Sequence, residues 1–204
     1  MKRGNFTLAG MRLIVLCLLA SAVLPSVSHA QEAPVFAITQ AESSIAFNVK
    51  ASVAIQGTFD QWHATLKFTS PDVTTGVLEV KIQAASVDTG SGFKDSKLKS
   101  DDFFAVDQNP LITFKSTKIV QSGPNTFEVD GNFTIRGVTK PEKLTLGLSG
   151  KGTGSGEING TMAFDRKNYG MNSGIPFIRI ADRVEVTVAL KGKRVSGPPL
   201  VFKQ

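Results

Sequence analysis

Eight times along this chain, apolar residues recur at every second position. That two-residue period belongs to a β-strand with one buried face. Ile45, Phe47 and Val49 form the first run, and Trp62, Ala64, Leu66 and Phe68 the second. Leu78, Val80, Ile82 and Ala84 follow, then Ile112, Phe114 and Ser116. The remaining runs are Phe127 to Ile135, Leu144 to Leu148, Ile158 to Phe164, and Val184 to Leu190. The alternate positions are polar or charged, for example Glu79, Lys81, Glu185 and Lys191. Seven or eight such strands with short connections argue for an antiparallel meander. One apolar face per strand requires the sheet to curl on itself or to pack on a second sheet. Closure of eight strands would also remove the exposed edges and leave an interior for side chains or one ligand.

Turn residues separate the runs. Ser70-Pro71-Asp72, Ser122 to Asn125, Val138 to Pro141, and the glycine-rich stretch Gly150 to Gly156 are the expected turns. The last of these lacks the Lys-Ser/Thr ending and the following helix of a phosphate loop, so it reads as a hairpin tip. One connection is different. Between Ser86 and Thr117 the alternation stops for about two dozen residues, long for a compact domain and therefore a candidate functional loop. It carries Phe93, Leu98, Phe103 and Phe104, groups expected to bury themselves. Ser100 followed by Asp101 and Asp102 predicts a helix N-terminus, with the acids favoured by the macrodipole. Asn109-Pro110 would end that helix. The segment is either a packed crossover or a lid over a cavity mouth.

The ends bound the setting. Lys2, Arg3 and Arg12, the apolar run Leu13 to Ala20, and Ser28-His29-Ala30 together predict an export signal over residues 1–30. Cys17 is a poor lipidation site, because Leu16 precedes it and it lies within the apolar run. Cleavage near Ala30 would leave residues 31–204 as one domain, periplasmic or secreted. It would remove the only cysteine, so disulfide and thiol chemistry are not expected. Three of the 23 basic residues and none of the 17 acidic ones would go, leaving 20 against 17, a net of +3. That scattered excess is not a nucleic-acid footprint.

Catalysis finds little support. His63 would be the one histidine left, on the polar phase of its strand, and Glu32, Glu42, Glu79, Glu128, Glu142, Glu157 and Glu185 are dispersed. No metal-ligand spacing is present. An integral outer-membrane barrel would need apolar outward faces and aromatic girdles, whereas the outward phase is charged and the chain has one Trp and one Tyr.

Three segments resemble the YceI-like family of exported polyisoprenoid-binding proteins. The first runs from Ser86-Val87-Asp88-Thr89-Gly90 through Lys94-Asp95, Leu98-Lys99-Ser100, Asp102-Phe103-Phe104 and Asn109-Pro110 to Ile112-Thr113-Phe114. The second is Gly131 to Pro141, and the third Arg166 to Met171 with Ile180-Ala181-Asp182. The resemblance implies an all-β, eight-stranded, antiparallel up-and-down, lipocalin-like barrel with a short helical cap. Its implied function is binding, sequestration or transport of a long isoprenoid or similar lipid, a quinone included, with no other cofactor and no enzymatic activity. The chain departs from the family at Ala51 or Ser52 and at Lys97, where the family often has a histidine, and at Lys94, where an arginine is usual.

The inward rows nominate a wall of Phe47, Phe68, Ile82, Phe114, Phe133 and Phe164, with Phe103 and Phe104 from the cap. Each could instead fill the core. Lys94, Lys97, Arg136, Arg166 and Tyr169 are candidates for a polar head group. Arg166 could equally pair with Asp165 or Asp182, and Tyr169 could sit at a barrel rim. Two other readings remain open: an exported structural or stress-related barrel with a filled core, and an unrecognised hydrolase.

Overall fold

The structure, a computed structural model, describes residues 32–52, 54–174 and 177–203. The expected export signal, with Cys17 and His29, lies outside the described residues. Eleven strand segments follow in chain order: β1 Val35–Ile38, β2 Ser44–Ala51, β3 Ile55–Phe59, β4 Trp62–Lys67, β5 Val77–Gln83 and β6 Val87–Asp88. After the cap come β7 Leu111–Gln121, β8 Thr126–Ile135, β9 Val138–Ser149, β10 Ser155–Asp165 and β11 Ile180–Ser196. All pair antiparallel, and β1 contacts both β4 and β11, which closes the ring.

The segments merge into eight staves of an up-and-down barrel. β1 and β2 both pair with β11 and are one stave; β3 continues into β4, and β5 into β6. These three staves bend at one level. A 3-10 turn at Gln40–Glu42 breaks the first, and Gln40 Nε2 donates to the Trp62 carbonyl at 2.5 Å. Gln61 N–H donates to Ser86 Oγ at 3.0 Å, linking the second bend to the third. The expected first run therefore extends back to Val35 and the second back to Ile55, both too short or too glycine-rich to be evident as periodic sequence.

Alternation survives in the burial. Leu78, Val80 and Ile82 are buried on β5, and Phe127, Val129, Phe133 and Ile135 on β8. Glu79 and Lys81 form an outward ion pair at 3.1 Å. Val138 to Pro141 is not the turn the sequence implied; it is the start of β9. The turn is Arg136-Gly137, both left-handed at φ 52° and 72°, the two-residue type I′ geometry that suits strand twist. Pro141 is tolerated within β9 because the β9–β10 ladder reaches only Thr145, leaving that part of β9 with an open side. The Gly150–Gly156 stretch is a hairpin tip between β9 and β10, as expected.

The helix is displaced from its expected place. α1 spans Gly92–Lys99, and Ser100 closes it: Ser100 Oγ donates to the Lys97 carbonyl at 2.7 Å. Asp101 and Asp102 thus follow a helix C-terminus. Asp95 in the first turn outcompetes them as the starting signal, accepting from Thr89 N–H at 2.9 Å and Thr89 Oγ1 at 2.6 Å. The shift rotates Phe93 outward to 72% exposure, contrary to expectation, while Leu98, Phe103 and Phe104 turn inward over the barrel.

At the opposite end the C-terminal tail forms a strap. Val201 N–H donates to the Pro71 carbonyl at 2.8 Å, and Gln121 exchanges two bonds with the Lys203 backbone, at 2.9 and 2.7 Å.

Candidate functional site

The cap is bolted down at its perimeter and apolar beneath. Lys94 Nζ donates to the Ala54 carbonyl at 3.0 Å, on the β2–β3 tip. Lys97 pairs with Asp102, and Ser173 Oγ donates to Asp102 Oδ1 at 2.9 Å. Those bonds hold the Asp102 carboxyl below its usual range, the Lys97 hydrogen bond contributing most and that of Ser173 next. Arg136 reaches across from the β8–β9 turn to the Asp101 carbonyl at 2.7 Å and to the Gly170 carbonyl. Under this frame Leu98, Phe103 and Phe104 form the ceiling of a chamber of about 80 Å³.

The chamber walls are apolar on every side. Phe47, Ile82, Phe133 and Phe164 line it with Phe103 and Phe104, so six of the eight sequence candidates meet in one place. Aromatic contacts set the walls: Phe47 lies 5.6 Å from Phe59, and Phe133 lies 5.1 Å from Phe164, centroid to centroid. Phe68 is elsewhere. It lines a second apolar chamber of about 80 Å³ at the strap end, with Phe36 at 5.8 Å. Phe114 lines neither. Sequence reasoning missed Phe59 and Met171 in the first chamber. The inward row Ile55, Gly57, Phe59 was readable in principle, but Met171 sits in an irregular segment with no period to reveal it.

Among the described residues Arg166 is the one charged group lining the chamber, and each of its three guanidinium nitrogens donates within the protein. It donates to the carbonyls of Ala181 at 3.2 Å, Met171 at 2.5 Å and Ser173 at 2.9 Å, and to Asp182 at 3.2 Å. Of the two partners the sequence left open, it takes Asp182. Tyr169 is not at a rim. It is fully buried, 5.5 Å from the Phe133 ring and 5.2 Å from Phe164, and its hydroxyl donates to Glu142 at 2.7 Å. Burial first, and that bond second, push its pKa far above the ordinary phenol value. The five head-group candidates thus lie around the cap end, each already bonded within the protein.

His63 faces outward on β4, opposite Lys81. Among the described residues, no cluster of three or more His, Cys, Asp or Glu side chains is placed to hold a metal ion. No helix among them is long and apolar enough to cross a membrane.

Fold and chambers together define a closed lipocalin-like barrel with an apolar lumen under a tethered cap. The chain belongs to the YceI-like domain family, whose pattern it matches over residues 36–192. It is 32% identical over 98 residues to a UPF0312 protein of Azotobacter vinelandii, a match covering 48% of this chain and 51% of the relative. The chain thus spans about half the length of that curated relative. A UPF0312 protein of Pseudomonas syringae is 31% identical over 133 residues, 63% of this chain and 69% of the relative. Among solved structures, Burkholderia cenocepacia BcnA superposes with a TM-score of 0.69 at 23% identity, covering 76% of this chain and 99% of BcnA. A polyisoprenoid-binding domain of Saccharophagus degradans, implicated in plant cell wall breakdown, gives 0.61 at 12% identity, covering 79% and 99%. Both share the fold.

Proposed function

We propose that this protein holds the hydrocarbon chain of a long isoprenoid or similar lipid in the chamber beneath the cap, and serves to sequester or carry it. One observation carries the reading: the walls offer hydrocarbon everywhere, and the single charged lining group among the described residues, Arg166, already directs all three guanidinium nitrogens to acceptors of the protein itself. A polar ligand would lose its hydrogen bonds to water and regain none. A hydrocarbon gains about 0.8 kcal/mol per CH₂ buried, so a few isoprene units suffice for micromolar affinity, about −8 kcal/mol. The isoprenoid class is favoured by the like-folded polyisoprenoid-binding domain of Saccharophagus degradans.

The chamber, at about 80 Å³, is smaller than the roughly 300–1,000 Å³ of ordinary ligand pockets. Loading therefore requires the cap to lift, with Leu98, Phe103 and Phe104 leaving the mouth. The charged outer row, Glu79 and Lys81 among it, is unsuited to facing lipid, and the export signal expected over residues 1–30 would send the barrel to the periplasm or outside the cell. Among the described residues no constellation favours catalysis over binding, and His63 points away from the lumen.

Organic extraction of the purified protein, followed by mass spectrometry, tests the proposal. The expected result is a stoichiometric long-chain isoprenoid or quinone. Absence of any lipid, together with no uptake of added prenols by the extracted protein, would overturn it.

A further inference from the structure

A layer of buried side chains lies between the two chambers. Inward residues on successive staves, Val80, Phe114, Val129, Leu144, Met162 and Leu190, are buried yet line neither chamber. Phe114 is the largest of them. Its ring lies over Gly131, the inward position of β8 that has no side chain; a Cβ there would overlap the ring and stand 2.8 Å from the Lys115 carbonyl oxygen. The backbone under Phe114 is pinned as well. The β7 register shifts between Ser116 and Lys118, and the buried Ser116 Oγ accepts the Leu78 N–H at 2.9 Å.

We propose that Phe114 is the chain-length stop of the lipid site: a hydrocarbon entering under the cap ends against its ring. This rests on the chamber taking a lipid chain. Each methylene buried above the stop strengthens binding about fourfold. The next one must displace a ring seated in a close-packed layer, which overpacking opposes. Affinity therefore climbs with chain length and then levels. Shortening the side chain opens the way toward the strap-end chamber around Phe68 and Ile158.

The experiment titrates lipid-extracted protein with straight-chain 1-alkanols of increasing length, for the natural sequence, Phe114→Ala and the milder Phe114→Leu. The natural protein should gain about fourfold per methylene up to a break and nothing beyond it. Phe114→Ala should move the break to longer chains, binding the first alkanol past it at least about fourfold more tightly. Should the alanine variant fail to fold, Phe114→Leu must show a smaller shift in the same direction. An unchanged break in a folded variant overturns the stop and leaves lipid binding standing. No alkanol binding at any length, in any variant, overturns both.

Discussion

The Tyr169 hydroxyl donates to Glu142 at 2.7 Å across the seam where β9 and β10 part company. Beyond Thr145 and Thr161 the two strands no longer pair, and the 3-10 turn Arg166–Tyr169 folds back to fill the space. A phenol does this well: its ring packs edge-on against Phe133 and Phe164, and its hydroxyl donates to a side-chain carboxylate on the strand that lost its neighbour.

That burial is directly measurable, because Tyr169 is the only tyrosine in the chain. Its raised pKa means that stability from the neutral phenol is fully present below about pH 10, the unfolded value, and is lost as pH rises above it. Tyrosinate absorbance should stay absent from the native protein at pH 11 and appear near pH 10 once urea unfolds it. Tyr169→Phe should cost about 1–2 kcal/mol in urea unfolding, the worth of one buried hydrogen bond.

The cap should loosen in acid. Asp102 is held below its ordinary carboxylate range chiefly by the Lys97 hydrogen bond and then by Ser173. A depressed carboxylate contributes stability that is complete above about pH 4 and disappears as pH falls through its folded value. Amide exchange of residues 100–105 should therefore accelerate relative to the barrel below pH 4. In Asp102→Asn that pH dependence should flatten.

Replacing Arg166 by Met removes donors from the Ala181, Met171 and Ser173 carbonyls while keeping apolar volume. The expected loss is roughly 2–3 kcal/mol, set by hydrogen bonds from a charged group. It should be accompanied by faster proteolysis between Tyr169 and Ile180. An unchanged urea midpoint would contradict the pinning role.

Two phenylalanines in one cap should behave oppositely. Phe93 is 72% exposed and Phe104 only 7%. Phe93→Ser should stay within about 0.5 kcal/mol of the natural protein, whereas Phe104→Ala should cost about 3–5 kcal/mol. Thermal unfolding followed by fluorescence of the single tryptophan, Trp62, checks both.

The eight staves were legible because a half-buried strand writes its faces into alternate residues, and Leu78-Glu79-Val80-Lys81-Ile82 needs no neighbour to be read. Most of the chamber wall followed from the same rows. The cap helix was misplaced because Ser100-Asp101-Asp102 and Ser91 to Asp95 are both plausible helix starts. Only the bonds from Thr89 to Asp95 decide between them.

What the chain alone determined, then, is which residues face inward and that the sheet had to curl over them or pack on a second sheet. Which of those residues surround space and which fill it was decided by the assembled barrel. Phe114 and Phe133 are adjacent partners across β7 and β8 with the same side chain, yet Phe133 walls a chamber while Phe114 is buried outside both. The difference arises from Gly131, 17 positions along the chain from Phe114, whose missing side chain leaves room for one ring. Periodicity encodes a direction. Occupancy of the centre depends on volumes contributed by all eight staves at once, and these become neighbours only when the ring is closed.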